Sequence, residues 1–240
     1  MVEGVLFALV PGAGCDPWMW HLVVPQLQAR GHDAVGVRLP YDDERAGLPE
    51  YAGAVADFVE GREDVAIVAQ SLAGFVAPLV CDGLPVRLLV LVNAMIPLPG
   101  ETAGEWWEHV DHASALAPVV GEYGPLESWD GAAQTAVFLN DVEPALAANH
   151  VGPGGAGIFS SPLAIDAWPE VPTRGLAGRR DRCFPLEFPR RIASKRLQGR
   201  GYLGHALSLG QQTVRLSELA HHLLRCVSRF SWFLLPPSGC

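Results

Sequence analysis

The stretch Ala69-Gln70-Ser71-Leu72-Ala73-Gly74 joins an apolar run, Val65 to Ala69, to apolar residues at helical spacing. A serine at a sharp strand-to-helix turn presents its hydroxyl as a nucleophile, and it needs small residues two places before and after it because the backbone closes up there. Ala69 and Ala73 meet that need. The start of the helix also aims free N–H groups and the positive end of its dipole at the place where an oxyanion would form. The same serine would serve equally as a plain helix N-cap, and these six residues alone do not choose between the two roles.

A serine hydroxyl is a weak nucleophile at neutral pH, so a base must take its proton and a carboxylate must hold that base in the right tautomer. Asp181 follows the run Thr173 to Ala177, in Gly178-Arg179-Arg180-Asp181-Arg182-Cys183-Phe184-Pro185. His205 follows Gly204, after a weaker strand pattern at Leu197 to Leu203 and before a helical stripe at Leu216 to Cys226. In a parallel sheet all three would hang from carboxyl ends of strands, where open α/β folds build their sites. Asp181 has a plainer role open to it, as a surface partner of Arg179 or Arg182. Among the other histidines, His21, His109, His112 and His150 precede the position a triad requires or lie in the insertion described below, and His221 and His222 fall inside the last helix.

The elements that must position these residues alternate along the chain. Apolar runs at Val5 to Val10, Asp33 to Leu39, Val65 to Ala69 and Arg87 to Val92 read as strands, and helical stripes separate them. Such alternation implies βαβ units and a parallel sheet. The expected class is α/β, with a mostly parallel sheet of about six strands and helices on both faces. After Asn93 the rhythm breaks, and residues 94–171, rich in Trp, Pro and Gly, read as a small helical cap inserted after the fourth strand. The core is then residues 1–93 and 172–240, with the strand Thr173 to Ala177 and a helix from about Leu186 to Arg196 resuming the pattern.

Composition bounds the partners. With 240 residues, 49% hydrophobic and 18% charged, the chain is long enough for one sizeable core. The 17 basic residues against 26 acidic ones, a net charge of -9, leave no basic face for nucleic acid or an anionic membrane. Five scattered cysteines have neither zinc-site spacing nor disulfide density, and the N-terminus has no basic leader pattern, so a cytoplasmic protein with reduced thiols is expected. The apolar segment Phe230 to Leu235 is far too short to cross a bilayer.

The segments Leu9 to Leu39, Val65 to Met95 and Val171 to Pro185 resemble the α/β-hydrolase superfamily, and within it the small capped serine esterases of the plant methyl esterase and hydroxynitrile lyase type. The resemblance implies a Ser–His–Asp triad on Ser71, His205 and Asp181, with the backbone N–H groups of Ala13 and Leu72 facing the oxyanion. The sequence departs from the family pattern at Pro11-Gly12, where His-Gly is usual, and at Gln70, where a histidine usually precedes the nucleophile. Hydroxynitrile lyases carry a lysine beside the catalytic histidine, whereas Ala206 follows His205; dehalogenases and epoxide hydrolases carry aspartate at the elbow.

Trp106, Trp107, Trp129, Phe138, Phe159 and Trp168 crowd into the insertion. Rings gathered over a sheet end make a concave apolar pocket, and Met95, Trp106, Trp107, Phe138 and Phe159 are its expected walls. The alternative for each ring is to anchor the insertion. Together these features point to hydrolysis of an ester-like bond in a small, largely apolar substrate through an acyl-enzyme, with no cofactor and no metal and with a homodimer left open. Thioester or carbon–carbon bond hydrolysis uses the same triad, and a ligand-binding module with weakened catalysis is the rival from another class.

Overall fold

A computed structural model describes residues 5–125, 131–138, 155–178, 181–185, 187–197 and 232–234. Its sheet has five parallel strands: β1 (Leu6–Val10), β2 (Asp33–Gly36), β3 (Val65–Gln70), β4 (Val86–Val92) and β5 (Thr173–Gly178), in the order β2-β1-β3-β4-β5. At its outer edge Trp232–Leu234 pairs antiparallel with β5. The parallel strand expected at Leu197 to Leu203 and the helix expected at Leu216 to Cys226 lie outside the described residues, apart from Leu197, which closes a helix instead.

Alternation along the strands divides the interior in two, since successive side chains of a strand face opposite sides of the sheet. Leu6, Ala8, Val10, Ile67, Ala69, Leu89 and Leu91 face one layer of helices. That layer holds α2 (Leu48–Val59), α3 (Ala73–Gly83) and α8 (Glu187–Arg196). Phe7, Leu9, Ala66, Val68, Val90 and Val92 face Trp20, Val23 and Leu27 on the other side. Trp20 closes a 3-10 turn at Pro17–Trp20, Val23 is the N-cap of α1 (Val24–Gln28), and Leu27 lies within that helix. The spacing of Trp18 to Gly31 predicts one helix. Pro25 has no N–H to donate to the preceding turn, so the helix restarts around it. β2 is likewise shorter than its apolar run, because its partner β1 ends at Val10 before Pro11 and Val37 N–H makes the last bond, to Leu9 O at 2.9 Å.

Between β4 and β5 the described residues form α4 (Ala103–His109), α5 (His112–Tyr123), α6 (Gly131–Phe138) and α7 (Ala156–Ser160), with one isolated bridge between Thr102 and Pro162. Thr102 caps α4 reciprocally with Glu105. The segment is pinned where it leaves the sheet. Trp106 Nε1 donates to Ile96 O at 3.1 Å and Trp168 Nε1 to Pro97 O at 2.7 Å. Arg196, at the end of α8, pairs there with the buried Glu101. Burial pushes the Glu101 carboxyl up, but hydrogen bonds from Arg196, Leu98 N–H and His109 outweigh it and hold the group below its ordinary value. No helix among the described residues is long and apolar enough to cross a membrane.

Candidate active site

The chain leaves β3 and enters α3 through Ser71, whose φ of 52° lies in the left-handed region. That conformation costs a residue with a Cβ about 1–2 kcal/mol, so the surrounding contacts must hold it. Ser71 N–H donates to Val92 O at 3.2 Å, and Ser71 O accepts from Met95 N–H at 2.9 Å and Gly74 N–H at 3.0 Å. The turn is thereby fastened to the end of β4 from both of its backbone groups. Ser71 does not sit as an ordinary extended N-cap, because its φ is positive and its side chain is half-buried.

Two glycines make this close approach possible. A methyl group on Gly74 would lie 1.8 Å from Met95 O, and one on Gly12 would lie 2.3 Å from Gln70 Oε1 and 2.9 Å from the Ser71 Cβ. The loop Pro11–Gly14 therefore runs directly against the serine. Alanine is ordinarily favoured over glycine in a helix by about 1 kcal/mol. Gly74→Ala is expected to reverse that sign and destabilise the protein by about 1–3 kcal/mol, since the Met95 carbonyl must move. Thermal unfolding measures it, and a variant melting at or above the parent would show that the elbow tolerates a Cβ. Among the described residues, no backbone hydrogen bond uses the N–H of Leu72, which follows Ser71 in the chain, or of Ala13, which follows Gly12.

Asp181 stands just past β5, on the far side of β4 from Ser71. Its Oδ1 accepts from Phe184 N–H at 2.6 Å and its Oδ2 from Asn93 Nδ2, so it is no mere surface partner of the neighbouring arginines. The loop 181–185 is gripped by the inserted helices. His112 Nε2 meets Cys183 O at 2.7 Å, and Arg182 Nη1 donates to Tyr123 Oη at 2.8 Å and to Ala136 O at 2.7 Å. A carbonyl only accepts, so Nε2 carries the His112 proton. Burial lowers the His112 pKa against the opposing pull of that hydrogen bond, which suits a neutral brace.

The thiols beside the site are poor nucleophiles. Burial, helped by the Asp181 charge, raises Cys183 well above its ordinary value, and burial with Asp16 nearby pushes Cys15 up to about 11. Among the described residues, Cys15, Cys81 and Cys183 are free.

Of the residues expected to form a pocket, Met95 is buried directly behind the elbow. Trp106 has no exposed surface and packs edge-on to Trp107 and Phe188. It bears on any binding surface only by supporting its neighbours. Trp107 and Phe159 are half-buried, and Phe138 is exposed at the end of α6. Trp107 also contacts Phe184 and His112. His205 lies outside the described residues. Asn93, His112 and Arg182 escape a sequence reading. Asn93 had a signal, a polar residue closing an apolar strand, but the residues it meets are far along the chain.

Comparison with known proteins agrees with this fold. A sequence profile described as the alpha/beta hydrolase family matches residues 7–218. No curated protein matches the chain in sequence. Among solved structures, polyneuridine aldehyde esterase superposes with a TM-score of 0.65 at 19% identity, covering 81% of this chain and 88% of that one. A pyrethroid hydrolase from Sphingobium faniae JZ-2 superposes at 0.60 and 19%, covering 80% and 84%. An extracellular alpha/beta-hydrolase from a Paenibacillus species gives 0.57 at 14%, covering 82% and 84%. At these identities the likeness is one of fold.

Proposed function

Since the chain belongs to the alpha/beta hydrolase family, we propose that it is a serine hydrolase that cleaves an ester-like bond in a small, largely apolar substrate. The observation that carries this reading is Ser71 held at a φ of 52° between β3 and α3. Strain of that kind persists only where surrounding contacts over-determine it, and it gathers at functional sites. In the proposed reaction Ser71 Oγ attacks the carbonyl carbon while His205 takes the hydroxyl proton. The carbonyl oxygen becomes an oxyanion facing the Ala13 and Leu72 N–H groups. His205 then returns the proton to the leaving alcohol as the carbon–oxygen bond breaks, water attacks the acyl-enzyme with His205 again as base, and the acyl–Oγ bond breaks to release the acid as His205 gives that proton back to Ser71.

Asp181 orients His205 in this scheme. Neighbouring strands are about 4.8 Å apart, so the ends of β3 and β5 stand roughly 10 Å from each other across β4. An imidazole between them would reach both. Support for an ester comes from two neighbours of the fold, an esterase and a pyrethroid hydrolase.

A fluorophosphonate probe tests the reading: rapid labelling at Ser71 is expected, and a chain that stays unlabelled would be a binding module instead. A screen of nitrophenyl esters varying acyl and alcohol length then reports the pocket. Trp107→Ala should change preference among these esters by roughly 10- to 200-fold, the range of contacts in an apolar pocket. Trp106→Ala should instead lower stability by about 3–5 kcal/mol, as truncation of a fully buried ring does. Equal loss on every ester for Trp107→Ala would assign that ring to packing as well.

A further inference from the structure

The end of β4 carries a polar side chain to which the scheme above gives no role. Asn93 is only 3% exposed, yet it follows the apolar strand Val86–Val92 and has a φ of 40°. Among residues with a side chain, asparagine adopts the left-handed region with least penalty. Its N–H donates to Leu176 O at 2.9 Å, which ties its backbone to β5. Its Nδ2 donates to Asp181 Oδ2. The other carboxylate oxygen accepts from Phe184 N–H. One donor thus comes from the sheet and the other from Asp181's own loop, so both oxygens are held at once.

We propose that Asn93 is a positioning residue for Asp181, aiming its carboxylate at the base through the Nδ2–H to Oδ2 hydrogen bond. This rests on the serine hydrolase reading. The chemistry favours an amide at this place. A lysine or arginine would offset the negative charge that must stabilise the imidazolium, whereas an amide orients the carboxylate and adds no charge. The backbone geometry suits the task too. The same strand end that receives the Ser71 N–H, at Val92 O, turns at the next residue to reach Asp181. Nucleophile and carboxylate are therefore referenced to one point of the sheet.

Asn93→Gly and Asn93→Asp test the inference, because both residues accept the left-handed backbone and neither adds bulk. The readouts are the rate of fluorophosphonate labelling and the pH dependence of nitrophenyl acetate hydrolysis, whose acid limb reports the base. Asn93→Gly should slow labelling by about 10- to 100-fold, the scale on which an ångström of misplacement acts. Its acid limb should move to lower pH, because a wandering carboxylate favours the imidazolium less. Asn93→Asp adds a second negative charge, and its acid limb should move to higher pH. Labelling of Asn93→Gly at the parent rate would overturn the proposal, as would loss of activity in both variants with the acid limb unmoved. If Asn93→Gly does not fold, an unmoved limb in Asn93→Asp is sufficient to overturn it. A parent that fails to label overturns the hydrolase reading and this inference with it; a labelled parent with unaffected variants overturns this inference alone.

Discussion

Ser71→Ala is expected to lower hydrolysis by about 10³- to 10⁶-fold, because the nucleophile is gone while binding and oxyanion contacts remain. Thermal stability should stay close to the parent's. Among the described residues no hydrogen bond of the fold uses the Ser71 hydroxyl, and the bonds that fasten the turn come from its backbone. Alanine keeps the Cβ and with it the strain of the left-handed conformation. Ser71→Gly separates the two effects. Glycine removes strain of about 1–2 kcal/mol and gives back roughly 0.5–1 kcal/mol in unfolded-chain entropy, so this variant should be as inactive as Ser71→Ala and up to about 1.5 kcal/mol more stable. Ester hydrolysis and thermal unfolding on the two variants measure both halves. Unchanged turnover in Ser71→Ala would remove the serine from the mechanism, and a less stable Ser71→Gly would mean the turn is not strained.

His205→Ala is expected to cost nearly as much activity as Ser71→Ala, and the double variant Ser71→Ala/His205→Ala little more than either alone. Members of a triad act as one unit, so their losses do not multiply. The choice of His205 over His221 and His222 rests on the sequence: a base must approach Ser71 from beyond a strand end, the place expected for His205 after Gly204, whereas His221 and His222 fall in the helix expected last. His221→Ala and His222→Ala should therefore keep most of the activity. The comparison is read from the initial rates of nitrophenyl ester hydrolysis by the single and double variants. Losses that multiply would show Ser71 and His205 acting independently. A large loss in His221→Ala with none in His205→Ala would transfer the role of base.

The sequence by itself determined the alternation of strands and helices, the elbow at Ser71 and the position of Asp181 after the fifth strand. These signals are local: an apolar run long enough for a buried strand, small residues at fixed offsets from a serine, and a stripe at helical spacing all lie within a few residues of the feature they announce. Tertiary structure decided what these features touch. Asn93 and Asp181 are 88 positions apart, and His112 and Cys183 are 71 apart. The first pair meets because β4 and β5 are neighbours in the sheet although the inserted helices separate them along the chain, and the second because α5 packs back onto the loop after β5. The same distinction explains the glycines and tryptophans. A glycine four residues past a strand reads as ordinary helix start until Met95 O is found against Gly74. Trp106 and Trp107 read alike as pocket walls until packing against Phe184 and Phe188 buries one ring fully and leaves its neighbour half-buried. Composition and periodicity report which face of an element is apolar; which partner covers that face follows from strand order and register, and these are set by contacts between segments distant in the chain.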